Sequence, residues 1–212
     1  MTQTDDLIES LAAQLQPVQR MRAPMLRAWA WLAAVTLWAL VAVARFANMS
    51  MFMQRMELPR TALEGVGSLL TAVSAVIAAF ELSVPGRSAR WAWLPVFPAL
   101  LWLSASGLGC LQNGLGLSST HSPEGLRCFL FIASVSVPLS IALFWMLRRA
   151  RPIAPLPVAA LGALGVAAAA ATVLQFFHPF DITLLDLGFH VAAVGFVVLI
   201  GTALRRPILG AE

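Results

Sequence analysis

Two cysteines and three histidines carry the reactive side chains of this 212-residue chain, whose composition is otherwise dominated by apolar residues. Cys110 and Cys128 are separated by the 17 residues 111–127. Oxidised to a disulfide, they would close a loop worth ~3 kcal/mol on the chain-entropy view. His121, His178 and His190 fall in the same half of the sequence, with Asp181 and Asp186 near the last two. Asp186 and His190 are four apart, so on a helix they share a face. Thiolate and imidazole together suit a soft metal such as copper or zinc. A metal group would draw on Cys110, Cys128, His178 and His190, yet none of these pairs has the compact Cys-x-x-Cys or His-x-x-x-His spacing. Three outcomes stay open from these residues alone: a disulfide, a metal site, or two small buried thiols with scattered polar caps at helix ends. No residue pattern assigns a catalytic role, and no resident cofactor is required.

What must position these side chains is a set of apolar runs. Between Arg27 and Arg45 lie 17 residues without a charge, between Arg127 and Arg148 lie 20, and between Asp186 and Arg205 lie 18. A helix crosses the hydrocarbon with roughly 17–25 apolar residues. Six such runs are expected as spans: Leu26–Ala44, Leu63–Val84, Trp91–Cys110, Cys128–Leu147, Val158–Phe177 and Leu187–Leu204. Hydrophobic residues make up 59% and charged ones 11%, against roughly 25% charged in a soluble domain. The expectation is an all-α polytopic membrane protein. Its parts are an N-terminal segment at 1–24, a six-helix domain at 25–206 and a short tail at 207–212. Asp5, Asp6 and Glu9 interrupt the first residues, so the first span is expected to remain as an anchor, not as a cleaved leader.

Arginine sets the expected orientation. The chain has no lysine, and its basic residues number 14. With six spans, ten arginines share a side with both termini: Arg20, Arg22, Arg27, Arg87, Arg90, Arg148, Arg149, Arg151, Arg205 and Arg206. Arg45, Arg55, Arg60 and Arg127 take the other side. Short basic loops stay in the cytoplasm, which places both termini there and the cysteines outside a bacterial inner membrane, where disulfides are allowed. The net charge of +4 then reflects topology, not direct nucleic-acid binding. Trp29, Trp31, Trp91, Trp93 and Trp145 fall at the same ends, where indole anchors helices at the headgroups. Tight turns at Pro85-Gly86-Arg87-Ser88 and Arg148–Pro157 break the helices. The outer loops are longer; one holds Met49, Met51, Met53 and Met56, and another, 111–127, is rich in glycine and serine.

Two further stretches are informative. Ala159, Gly162, Ala163, Gly165 and Ala167–Ala171, with Gly188, Ala192, Gly195 and Gly201, let helix backbones approach closely. Mid-span charges that would line a permeation path are missing, with Glu64 and Glu81 near opposite ends of one span. At the N-terminus, Thr4 is placed to cap a helix whose first turn holds Asp5 and Asp6. Leu7, Ile8, Leu11, Ala12 and Leu15 recur on one face until Pro17 stops it. A helix of three turns is too short to stand alone; it packs on the bundle or docks on a soluble partner.

Several of these stretches together carry a resemblance: Thr4-Asp5-Asp6-Leu7-Ile8-Glu9-Ser10-Leu11 with Pro17-Val18 and Arg20; Leu82-Ser83-Val84-Pro85-Gly86-Arg87-Ser88 before Arg90-Trp91; Leu108-Gly109-Cys110; and Cys128. The chain resembles the NrsF family of negative regulators of sigma factor F, over essentially its whole length. The resemblance implies six spans in the inner membrane and an N-terminal segment that withholds an extracytoplasmic-function sigma factor. Metal or oxidant stress outside would release it. The family cysteines carry over to Cys110 and Cys128 as the sensing pair; joined to the helical face read above, the expected partner contact is Asp5, Asp6, Leu7, Ile8, Leu11 and Leu15, with copper or zinc as the metal signal and no enzymatic activity. Before the last span members often read His-Cys-Pro-Asp-Asp, where this chain has His178-Pro179-Phe180-Asp181, so a cysteine and an acid are missing there. His190 matches the family's histidine. From another class, two outer cysteines would serve a thiol–quinone oxidoreductase, but no second exchanging pair is present; a small transporter is the third reading. The oligomeric state is not legible.

Overall fold

The computed structural model describes residues 3–14, 21–112, 123–177, 184–205 and 209; the side chains at 3, 55, 108–112, 123–129 and 184–190 fall outside that description. Every described element is helical: α1 Gln3–Ala13, α2 Pro24–Phe46, α3 Met49–Met56, α4 Pro59–Leu82, a 3-10 turn at Ala89–Trp93, α5 Val96–Gln112, α6 Pro123–Arg148, α7 Pro155–Leu174 and α8 Leu184–Ala203. Four of them open on proline, at Pro24, Pro59, Pro123 and Pro155. The first turn of a helix has no use for that N–H, and the ring pre-sets φ.

Among the described residues, four helices are long and apolar enough to cross a membrane: α2, α4, the Leu130–Arg148 part of α6, and α7. The expected six is corrected to four. The third run loses its start because Trp91 and Trp93 enter the 3-10 turn, and Pro95 precedes a helix of only 17 residues. In α8 the described apolar stretch is the shorter Val191–Ala203. Both α5 and α8 still pack within the bundle, α5 on α4 and α8 on α6 and α7.

The helices α4 and α7 form the centre. Most of α7 is buried, as its alanines and glycines suggest. A Cβ placed on Gly165 would stand 2.7 Å from Val76 Cγ2 and 3.1 Å from Val76 N. One on Gly67 would stand 2.9 Å from the Cα and N of Trp102. Close backbone approach is how helices gain van der Waals contact where lipid offers no hydrophobic drive. Outside this centre, Leu37, Leu40 and Val41 of α2 and Ile141 of α6 are exposed, as lipid-facing positions must be.

Three local expectations change. Thr4 lies inside α1, which begins at Gln3, so it does not cap it. The methionine-rich segment folds as α3, with Asn48 Oδ1 accepting from Met51 N at 3.3 Å and Phe52 stacking on Phe176 at 4.3 Å. Trp31 is buried in the core with its Nε1–H lacking a partner, so it is not a headgroup anchor. Trp29, Trp93 and Trp145 are exposed. The Pro85-Gly86 turn forms as expected, with Gly86 at φ +82°, a backbone region that suits glycine.

Candidate functional site

The expected partner-binding residues stand on α1. Its first turn is acidic, with Asp5 and Asp6, and Leu7, Ile8 and Leu11 are 57%, 60% and 56% exposed. Leu15 lies outside the described residues. A row of three large aliphatic side chains left half in water is an unburied helix face of the kind that grooves receive. Ser10 Oγ donates to Leu7 O at 2.9 Å on the same helix. The chain rejoins the description at Met21 and enters α2 at Pro24.

At that entry sits a residue that sequence reading treated only as a loop charge. Arg27 is 8% exposed. Its Nη1 donates to Met21 Sδ at 3.1 Å, its Nη2 donates to Met146 O, and its guanidinium lies over Phe80, 5.1 Å from the ring centroid. Met146 is in the last turn of α6, where carbonyls have no intrahelical partner, so a cation from α2 caps the negative end of α6. Nearby, Arg149 lies over Trp145 at 3.9 Å. Glu81, buried at the end of α4, is met by Arg87 Nε at 3.2 Å across the Gly86 turn. That contact is an ion pair without hydrogen-bond alignment, for Glu81 Oε2 has no hydrogen-bond partner.

The opposite end of α4 is built from hydroxyls. Ser106 of α5 donates to the buried Glu64 at 3.0 Å. Thr172 Oγ1 of α7 lies 3.0 Å from Ser68 Oγ and 2.8 Å from Ala168 O, two acceptors for one proton. Thr71 closes on Gly67 O at 2.7 Å. Sequence reading saw Glu64 as a helix-end charge; that it would be buried was not signalled by spacing, although an acid within an apolar run asks for a partner.

Cys110 is on the last two turns of α5, one turn after Ser106, and Cys128 is in the first turns of α6. The loop joining them and both thiols lie outside the described residues, as do His178 and the His190 imidazole. The two helices follow one another in the chain and would be neighbours in a simple hairpin. Instead α5 packs mainly on α4 and more lightly on α8, while α6 packs on α8, α7 and α2. The helix bearing His190 therefore touches both cysteine-bearing helices. No group of three metal-ligating side chains occurs among the described residues.

Comparison with known proteins adds one decisive finding. The model of the NrsF family, negative regulator of sigma F, matches residues 11–210, so Leu11, Leu15 and both cysteines fall within the match while Asp5 to Ile8 precede it. No curated protein and no solved structure matches the chain. The family is regulatory, not enzymatic, and its name implies a sigma factor as partner; an oxidoreductase role is set aside on that ground. With a match across most of its length and several helices suited to a membrane, the chain belongs to the NrsF family of negative regulators of sigma F.

Proposed function

We propose that this protein is an anti-sigma factor of the bacterial inner membrane that holds an extracytoplasmic-function sigma factor through α1 and releases it under metal or oxidant stress outside. The observation that carries the docking part is the exposed row Leu7, Ile8 and Leu11 in a chain whose family regulates a sigma factor. Each leucine buried in a groove contributes about 1.5–3 kcal/mol before ordering costs. Asp5 and Asp6, in the turn before the row, add a charge that a basic rim would recognise.

The arginine-rich end supports a cytoplasmic position for α1. Contacts of Arg27 with Met146 and Phe80 bring the starts and ends of α2, α4 and α6 together at one end, where Arg87, Arg148 and Arg149 also lie. Such a concentration stays inside the cell, leaving the end with Glu64, Ser106 and Cys110 outside. Sensing is assigned to Cys110 and Cys128. Their oxidation to a disulfide transfers two electrons to an external oxidant with loss of two protons; capture of copper or zinc, with His178 and His190 as further ligands, is the other form of signal. Either acts only by stabilising one arrangement of the bundle over another.

Co-purification of the full chain in detergent, with mass-spectrometric identification of the bound protein, tests docking. A sigma factor is expected at near-equal amounts. A preparation that retains none from a cell expressing one overturns the reading. For sensing, Cys110→Ser should keep the complex and lose induction by oxidant or metal. Unchanged induction removes the cysteine from the mechanism.

A further inference from the structure

We infer that Arg27 is a positioning residue that locks the root of the α1 arm to the bundle, so that a shift of α4 or α6 is felt by the arm. The role of the arm as the sigma-holding element rests on the function proposed above; the locking itself rests on geometry.

Local electrostatics do not explain where Arg27 stands. It occupies the first turn of α2, the positive end of the helix, where a cation is disfavoured. Nor is it solvated, being among the buried charged residues. A buried cation persists only when its protons are used. Here the acceptors come from three places. Met21 belongs to the segment leading from α1. Met146 offers a carbonyl at the end of α6. Phe80 offers its ring face near the end of α4, a contact that gains strength when desolvated. The planar guanidinium holds its donors in a fixed fork while laying its face on a ring, whereas the ammonium of lysine is a compact point charge on a flexible stem.

The connections beyond Arg27 reach the far end of the bundle. Phe80 is on the same rigid helix as Glu64, which accepts from Ser106 one turn before Cys110 on α5. Gly67 against Trp102, and Gly165 against Val76, leave no slack between α4 and its neighbours. A helix held this closely moves as a unit, because packed interfaces shift between discrete arrangements. Moving α4 changes where Phe80 stands under the guanidinium, and the guanidinium carries Met21.

The test uses the full chain in nanodiscs, with nitroxides on genetically encoded ketone side chains so that both cysteines remain. One pair reports the root, at positions 22 and 69; a control pair reports the bundle, at 40 and 69. In Arg27→Met the 22–69 distance distribution should lose its narrow peak while the 40–69 distribution keeps its width, and Arg27→Lys should restore the peak in part. Broadening of both pairs, or of neither, overturns the lock. In parallel, sigma retention by Arg27→Met should fall about tenfold, the scale of one charge-assisted hydrogen bond. If the root loosens and retention is unchanged, the link to the arm is wrong. If the wild-type chain retains no sigma factor, the docking reading fails while the distances still decide the lock.

Discussion

The two ends of α4 are secured by different chemistry. At its C-terminal end the contacts involve charged side chains: Arg27 reaches a thioether, a carbonyl and a ring from three segments, and Arg87 forms an ion pair with the buried Glu81. At its N-terminal end the bonds are between hydroxyls and one acid, Ser106 to Glu64 and Thr172 near Ser68. Charged contacts in a desolvated place are costly to remove singly, because the orphaned partner stays buried. Neutral hydroxyl bonds between membrane helices are worth far less each, around 0.6 kcal/mol on average. The charged end is therefore the stiff one, set at the root of the arm. The hydroxyl end, beside Cys110, is where a small input of free energy can rearrange contacts.

The helix between the two ends can be broken most severely at its centre. Gly165→Leu would drive a side chain into Val76 and should destabilise the whole protein by about 3 kcal/mol or more, read as earlier unfolding in a detergent titration. Both ends should fail together, since they share α4. A tolerated leucine would mean that the α4–α7 contact is loose. Leu11→Asp sharpens the comparison by leaving both ends intact. It should cost about 2 kcal/mol of partner binding, roughly 30-fold in affinity, with no change in unfolding. Equal loss of stability would show that α1 is part of the bundle.

Smaller effects separate the ends themselves. Ser106→Ala leaves the buried Glu64 with one donor fewer and should destabilise by about 1–2 kcal/mol; Glu64→Gln, which keeps an acceptor, should cost less. Reversal of that order would mean the serine does not serve the acid. Arg87→Ala leaves the buried Glu81 without its counter-charge and should cost about 1–2 kcal/mol, less than for a fully buried pair because half of the arginine side chain is in solvent. Thr172→Val removes only a shared proton, as its hydroxyl faces Ser68 and Ala168 O at once. It should change unfolding by about 0.6 kcal/mol, the least of the series.

Much of the helical layout was readable from the apolar runs, because span length and proline or glycine breaks are local signals. Span number was not, because Trp91 and Trp93 are as apolar as a helix needs yet wind into a 3-10 turn before Pro95. The exposed face of α1 follows from the spacing of Leu7, Ile8 and Leu11. The helix start was misplaced by two residues, as Thr4 offers a cap before Asp5 that the backbone, already helical at Gln3, does not use. Arg27 and Glu64 were visible only as charges near span ends. Their burial depends on which helices meet, through Met146 and Ser106, and those residues lie 119 and 42 positions away in sequence. Pairwise order was also hidden: consecutive α5 and α6 find their main partners elsewhere, with α8 touching both.

The central claim is that α1 is the surface that holds the sigma factor. A photo-crosslinking residue at position 11, with a control at the exposed position 66 on α4, tests it in membranes where both proteins are present. The expected result is an adduct of the summed mass of this chain and the sigma factor from position 11 and none from position 66. Bound sigma factor that crosslinks from neither position, or an adduct from position 66 alone, would contradict it.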